Sequence, residues 1–162
     1  MCSSDLFPSH DRGQGFTNEI PEVVQICLTS VEKNKGDYQI IRLSDKTIAE
    51  YVDLPQFILE KCKNPEFNKT FFSDLLRLTL LNLYGGVWLD ATVFLTGLLP
   101  QRYAELDYFV FQRDSAEIHK KYWENSYAYY WGWDKRFKVR MLTSVIFAKE
   151  NNIVISTLLH VS

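Results

Sequence analysis

The chain has 162 residues, 46% hydrophobic and 15% aromatic, which is enough to bury one core and is the composition of a folded domain, not a disordered segment. Its formal net charge of -2 offers no broad basic surface, which argues against nucleic acid as a partner. Cys2, Cys27 and Cys62 are widely spaced, without CxxC or histidine spacing, so neither a disulfide framework nor a zinc site is expected and a reducing compartment fits.

The first residues, "MCSSDLFPSHDRGQGF", show no apolar signal-peptide core and no periodicity, and Met1 to Leu6 match what one reading frame of a common sequencing-adapter end would encode after a start codon. Residues 1–16 are therefore expected to be non-native or disordered, with a single domain over 17–162. "PEVVQICLTSVEKN" then places Val23, Val24, Cys27, Leu28 and Val31 at helical spacing behind a proline suited to a first turn, and "YQIIRL" reads as a short strand. "TIAEYV" and "PQFILEKCK" read as short helices divided by Pro55. "NKTFFSDLLRLTLLNLYGG" reads as a long helix ending at glycines able to take the left-handed conformation, and "VWLDATVFL" as a buried strand over 87–92. The apolar part of that helix, around 71–84, is interrupted by Ser73, Asp74, Arg77, Thr79 and Asn82, and falls short of the ~20 apolar residues a membrane span needs. "YFVFQ" and "SVIFAKE" are further strands, separated by the aromatic "HKKYWENSYAYYWGWDKRF", and "NNIVISTLLHVS" opens another helical pattern that stops without a cap, as if the domain continued. Alternating helices and strands without an internal repeat predict one α/β domain.

Three charges fall inside this apolar region. Asp74 and Arg77 lie three residues apart on one helix face and can pair with each other. Burying charges costs several kcal/mol each unless they are paired and hydrogen-bonded, and a buried ion pair is a weak reason for stability. Either an intrahelical salt bridge or a ligand-facing pair satisfies the spacing. Asp90 follows "GVWL", and the carboxyl ends of strands in α/β sheets face the ligand crevice. Gly85 and Gly86 could admit close approach of backbone and ligand, or could simply cap the helix.

The combination "SDLLRL" and "YGGVWLDAT" resembles the donor-site signature of sugar-nucleotide glycosyltransferases of the GT-A fold. It is most similar to capsular polysaccharide synthesis proteins related to the initiating mannosyltransferase-like and glycosyltransferase sugar-binding (DXD) families. The similarity extends over about residues 20–150 and is specific in 73–92. It implies a GT-A-like, Rossmann-like nucleotide-sugar-binding domain, truncated at both ends, that transfers a sugar from a nucleotide-sugar donor to a growing glycan in capsular or other cell-surface polysaccharide synthesis. It further implies Asp90 as the central catalytic and donor-site acid, the first of a DXD motif. Asp74, Arg77, Gly85, Gly86 and Thr92 would line the donor site, and the enzyme would work in the cytoplasm, at the inner face of the plasma membrane with peripheral association.

The second acid of DXD is replaced here by Thr92, as in the "DAT" that capsular-type relatives commonly carry. A threonine hydroxyl is a weak ligand for a hard cation, so Mn2+ or Mg2+ would be held by Asp90 jointly with diphosphate and water, or replaced by cationic side chains, for which Arg77, Arg113, Lys135 and Arg136 are candidates. Glycosyl transfer separates an oxocarbenium-like ring from a departing diphosphate, so cations serve the leaving group and carboxylates the ring.

"YAYYWGWDKRF" supplies flat aromatic faces suited to a sugar, and Trp131, Trp133 and Asp134 are the candidate acceptor-site residues; the rings could equally form a satellite core. His10, His119 and His160 have no partner spacing for a triad or a metal site. Two rival functions remain: a non-catalytic nucleotide-sugar-binding module, and a glycoside hydrolase, which would need paired carboxylates but neither the glycine pair nor a helix-borne arginine.

Overall fold

The computed structural model describes residues 5–9, 20–43, 47–62, 64, 67, 69–126, 132–136 and 140–161. Within them the chain divides into two compact units, residues 1–109 with 144–162, and residues 110–143.

The larger unit is built around strand β3 (Gly86–Asp90). β1 (Asp5–Ser9) runs parallel to it, with Leu6 opposite Val87 and Ser9 opposite Asp90, and β2 (Gln39–Ile40) lies parallel to β1 on the far side. β4 (Tyr108–Gln112) and β5 (Met141–Ala148) complete a mixed five-stranded sheet of order β2-β1-β3-β5-β4, in which β5 is antiparallel to β3. The segment expected to be non-native or disordered thus contributes a strand over 5–9. The physical reason lies in β3: a strand buried on both faces presents hydrogen-bonding edges that must both be paired, and β1 takes the edge that β5 leaves. The expected strand at 38–43 is shorter, because it pairs only with β1.

Side-chain alternation along β3 divides the core into two layers. Val87 and Leu89 face a cluster with Val31, Tyr38 and Phe147, roofed by helix α1 (Glu22–Asn34). Trp88 and Asp90 occupy the opposite face. Complete burial of Val87 and Leu89 contributes about 1.5–3 kcal/mol each. Two short elements, a 3-10 turn (Ile48–Glu50) and α2 (Gln56–Cys62), lead into α3 (Lys69–Tyr84), which packs against β3. Leu76, Leu78, Leu80 and Leu81 of α3 are buried. α4 (Gln101–Ala104) precedes β4, α5 (Lys120–Ser126) lies between β4 and β5, and α6 (Ile153–Val161) packs on α3. The side chain of Asn152 caps α6 by accepting from the Val154 amide at 2.9 Å.

The turn from α3 into β3 depends on glycine. Gly85 has φ +64° and Gly86 φ +100°, and a Cβ on Gly85 would lie 2.6 Å from the Glu150 nitrogen and 3.1 Å from the Ala148 carbonyl oxygen. The space beside Gly85 is filled by the backbone that joins β5 to α6, so its missing side chain serves a helix end and a backbone crossing. The Asn151 amide donates to the Asn82 carbonyl at 2.9 Å and fixes the same crossing.

Candidate functional site

β3 stops at Asp90 because the chain turns there: the Val93 amide donates to the Asp90 carbonyl at 2.9 Å, with Ala91 and Thr92 at the corners. Ala91 is buried with Val24 and Leu28 of α1, and Thr92 is exposed. The expectation of a strand continuing to residue 92 is corrected accordingly. After the turn the chain is strapped to α1. Ser30 Oγ accepts from the Leu95 amide at 2.9 Å, and Asn34 Nδ2 donates to the Leu95 carbonyl at 3.0 Å.

This geometry places the Asp90 carboxylate on the α3 side of the sheet. Arg77 reaches it from the middle of α3, with Nη2 3.5 Å from Asp90 Oδ1, and the same nitrogen is 3.1 Å from Asp74 Oδ1. The guanidinium also donates to the Ser73 carbonyl and hydroxyl, each at 3.4 Å. Its carbon stands 5.3 Å from the centroid of the Trp88 ring, and Trp88 Nε1 donates to Asp90 Oδ1 at 3.0 Å. The two inner partners are desolvated, with the Arg77 side chain 5% and the Asp90 side chain 2% exposed, whereas Asp74 is 48% exposed. The structure therefore brings Asp74, Arg77 and Asp90 into one group, with one carboxylate at the surface and one beneath it.

The pairings follow from local sequence. Ser73 and Asp74 lie four and three residues before Arg77, so α3 presents all three on one face. Trp88 and Asp90 are two apart on a strand and share a face for the same kind of reason. Sequence reasoning overlooked Trp88 and Ser73, although both carried these signals. Gly85 and Gly86 form the turn that brings β3 back beside α3, and Thr92 stands two residues beyond Asp90 on the exposed side of its turn.

Two carboxylates share one guanidinium, which leaves the trio with one net negative charge. Among the described residues no group of three or more His, Cys, Asp or Glu side chains is arranged to hold a metal ion. Asp90 already faces a cation, Asp74 touches the same cation, and Thr92 points outward, so this donor set does not fit a resident divalent cation.

The second unit carries the candidate acceptor residues. Trp131 lies outside the described residues. Trp133 Nε1 donates to the Asp114 carbonyl at 2.7 Å, its backbone amide donates to the Glu124 carboxylate at 2.9 Å, and the Arg113 guanidinium stands 5.9 Å from its ring centroid. Asp134 is exposed and binds Arg136 through both carboxylate oxygens at 3.0 Å. The hydrogen bond from the Arg136 side chain holds the Asp134 carboxyl at about 2, below its ordinary 3.8. Of the other candidate cations, Arg113 and Arg136 have these partners and Lys135 is exposed.

Among the described residues no helix is long and apolar enough to cross a membrane. A family profile described as "Capsular polysaccharide synthesis protein" matches residues 13–162. A search among curated proteins found no match. A solved structure described as "PaToxG Glycosyltransferase" aligns with a TM-score of 0.49 at 17% identity over 96% of this chain, which spans 57% of the length of that one.

Proposed function

The chain belongs to the capsular polysaccharide synthesis protein family, and from that premise we propose that it is a glycosyltransferase that moves a sugar from a nucleotide-sugar donor to a growing capsular or other cell-surface glycan. The observation that carries this reading is the buried Arg77–Asp90 pair beneath the half-exposed Asp74, at the carboxyl end of the central strand. A desolvated ion pair is a poor stabiliser, so its place in the core calls for another use. In the proposed reaction the bond from the anomeric carbon to the diphosphate breaks, the nucleoside diphosphate leaves with the bonding electrons, and an acceptor hydroxyl forms the new bond while its proton passes to the departing diphosphate or to water.

Asp74, as the exposed member, accepts hydrogen bonds from donor hydroxyls. Arg77, 5% exposed and paired with both acids, holds Asp74 toward the donor from beneath, and Asp90 holds the guanidinium in place and sets the potential around the oxocarbenium-like ring. We place the reaction on the cytoplasmic side of the membrane, where the chain would act peripherally.

The burial of Asp90 also supports a second reading, a nucleotide-sugar-binding module without turnover, since a carboxylate 2% exposed meets no ligand directly. Incubation of the full-length protein with a panel of UDP-, GDP-, dTDP- and CMP-sugars and with oligosaccharide acceptors separates them. Acceptor-dependent release of nucleotide supports transfer, and saturable binding without release supports the module.

A further inference from the structure

The geometry points to Trp88 as the positioning residue of this site: its indole N–H fixes the Asp90 carboxylate while its ring face seats the Arg77 guanidinium. The proposal rests on the donor-site reading of Asp90 and Arg77 given above.

Trp88 is fully buried at the centre of the sheet, opposite Phe7 of β1 and Ile146 of β5 in the strand register. A wholly apolar side chain would fill such a position without needing a polar partner. An indole adds a donor that must be satisfied when buried, and here the acceptor is an ionised side chain of the proposed site, not a backbone carbonyl. The distances rank the contacts. At 3.0 Å the Trp88 bond lies at the usual N–H···O separation, whereas Arg77 stands off at 3.5 Å, at the margin of a hydrogen bond. Arg77 comes closer to Asp74, at 3.1 Å, than to Asp90.

Arg77 is thus shared between two carboxylates, and Trp88 touches both members of the buried pair, with its donor edge on Asp90 and its π face on Arg77. The guanidinium carbon at 5.3 Å from the ring centroid is within cation–π range, which is strongest for desolvated partners. One side chain therefore bridges the buried carboxylate and the guanidinium that pairs with the half-exposed Asp74.

Two measurements on the full-length protein test this. The first follows the four indole N–H resonances after 15N labelling, with that of Trp88 assigned by its loss in Trp88→Phe. Asp90→Asn is expected to move the Trp88 resonance upfield, since a neutral amide replaces the carboxylate acceptor; an unmoved resonance overturns the contact. The second replaces Trp88 by 3-benzothienylalanine, which keeps the size and the ring face and lacks the N–H. With UDP-, GDP-, dTDP- and CMP-sugars as probes, kcat is expected to fall about 10- to 100-fold while KM for the donor changes by less than about threefold. Unchanged kcat in that variant overturns the positioning role. If the analogue does not fold, the resonance test decides alone. A wild-type protein that neither binds nor turns over any of the probes defeats the donor-site reading, an outcome distinct from a stationary Trp88 resonance.

Discussion

Arg77 and Asp90 belong to consecutive elements, helix α3 and strand β3, and their charged groups meet 3.5 Å apart with both side chains almost wholly removed from water. The turn at Gly85 and Gly86, both at positive φ, joins the two elements, and α3 packs against the strand that follows it.

The pair is expected to be coupled in stability. Arg77→Met leaves Asp90 buried without its cation and should lower the unfolding free energy by about 3–5 kcal/mol. Asp90→Asn should cost less, because Arg77 keeps Asp74 at 3.1 Å. In the double variant much of the Arg77→Met loss should be recovered. Urea unfolding of the four proteins measures the cycle, and strict additivity would show that the two side chains do not interact.

The glycines form a graded series. Gly97→Ala meets nothing within 4 Å and should stay within about 0.5 kcal/mol of wild type. Gly36→Ala meets open space at φ +60° and should lose about 1–2 kcal/mol through backbone strain alone. Gly85→Ala adds a backbone clash with Glu150 to similar strain and should lose about 2–5 kcal/mol. Thermal melts of the three variants check the order.

Much of this was legible beforehand, and the exceptions have physical causes. The 3.6-residue pattern in "PEVVQICLTSVEKN" and the long apolar run ending at Gly85 identified α1 and α3, because amphipathic burial and a left-handed cap are local properties. The i, i+3 spacing of Asp74 and Arg77 announced their contact. Residues 5–9 did not announce a strand, since what makes them one is the free edge of β3, about 80 positions away, and not any periodicity of their own. Thr92 read as strand because it is β-branched and follows apolar residues; the turn that exposes it comes from the Val93–Asp90 hydrogen bond and from the burial of Ala91 under α1.

That exposed turn position makes Thr92→Ala a mild substitution. Stability should change by no more than about 0.5 kcal/mol, as for other surface positions, and transfer by less than about threefold. A loss of transfer of about 10-fold or more would show that the hydroxyl contacts Asp90's neighbours or the ligand.

In the second unit, Asp134 should titrate at about 2 in a carboxylate-detected NMR titration, with Arg136 as the cause. A depressed carboxyl stabilises the fold above its unfolded value, near 3.8, and the contribution is lost as the pH falls toward 2. Both side chains are solvent-exposed, so added salt should weaken the effect. Arg136→Ala should return the midpoint to the ordinary range; a midpoint that stays near 2 would assign the shift to another group.

The central claim is that Asp90, through Arg77, makes this strand end a nucleotide-sugar site, and the most direct measurement is acceptor-dependent sugar transfer by the full-length protein and its Asp90→Asn variant at matched folded fractions. Loss of a pre-organised charge in such a site is expected to lower transfer about 100-fold or more, with a smaller change in the binding of free nucleoside diphosphate. Near-normal transfer by Asp90→Asn would contradict the account.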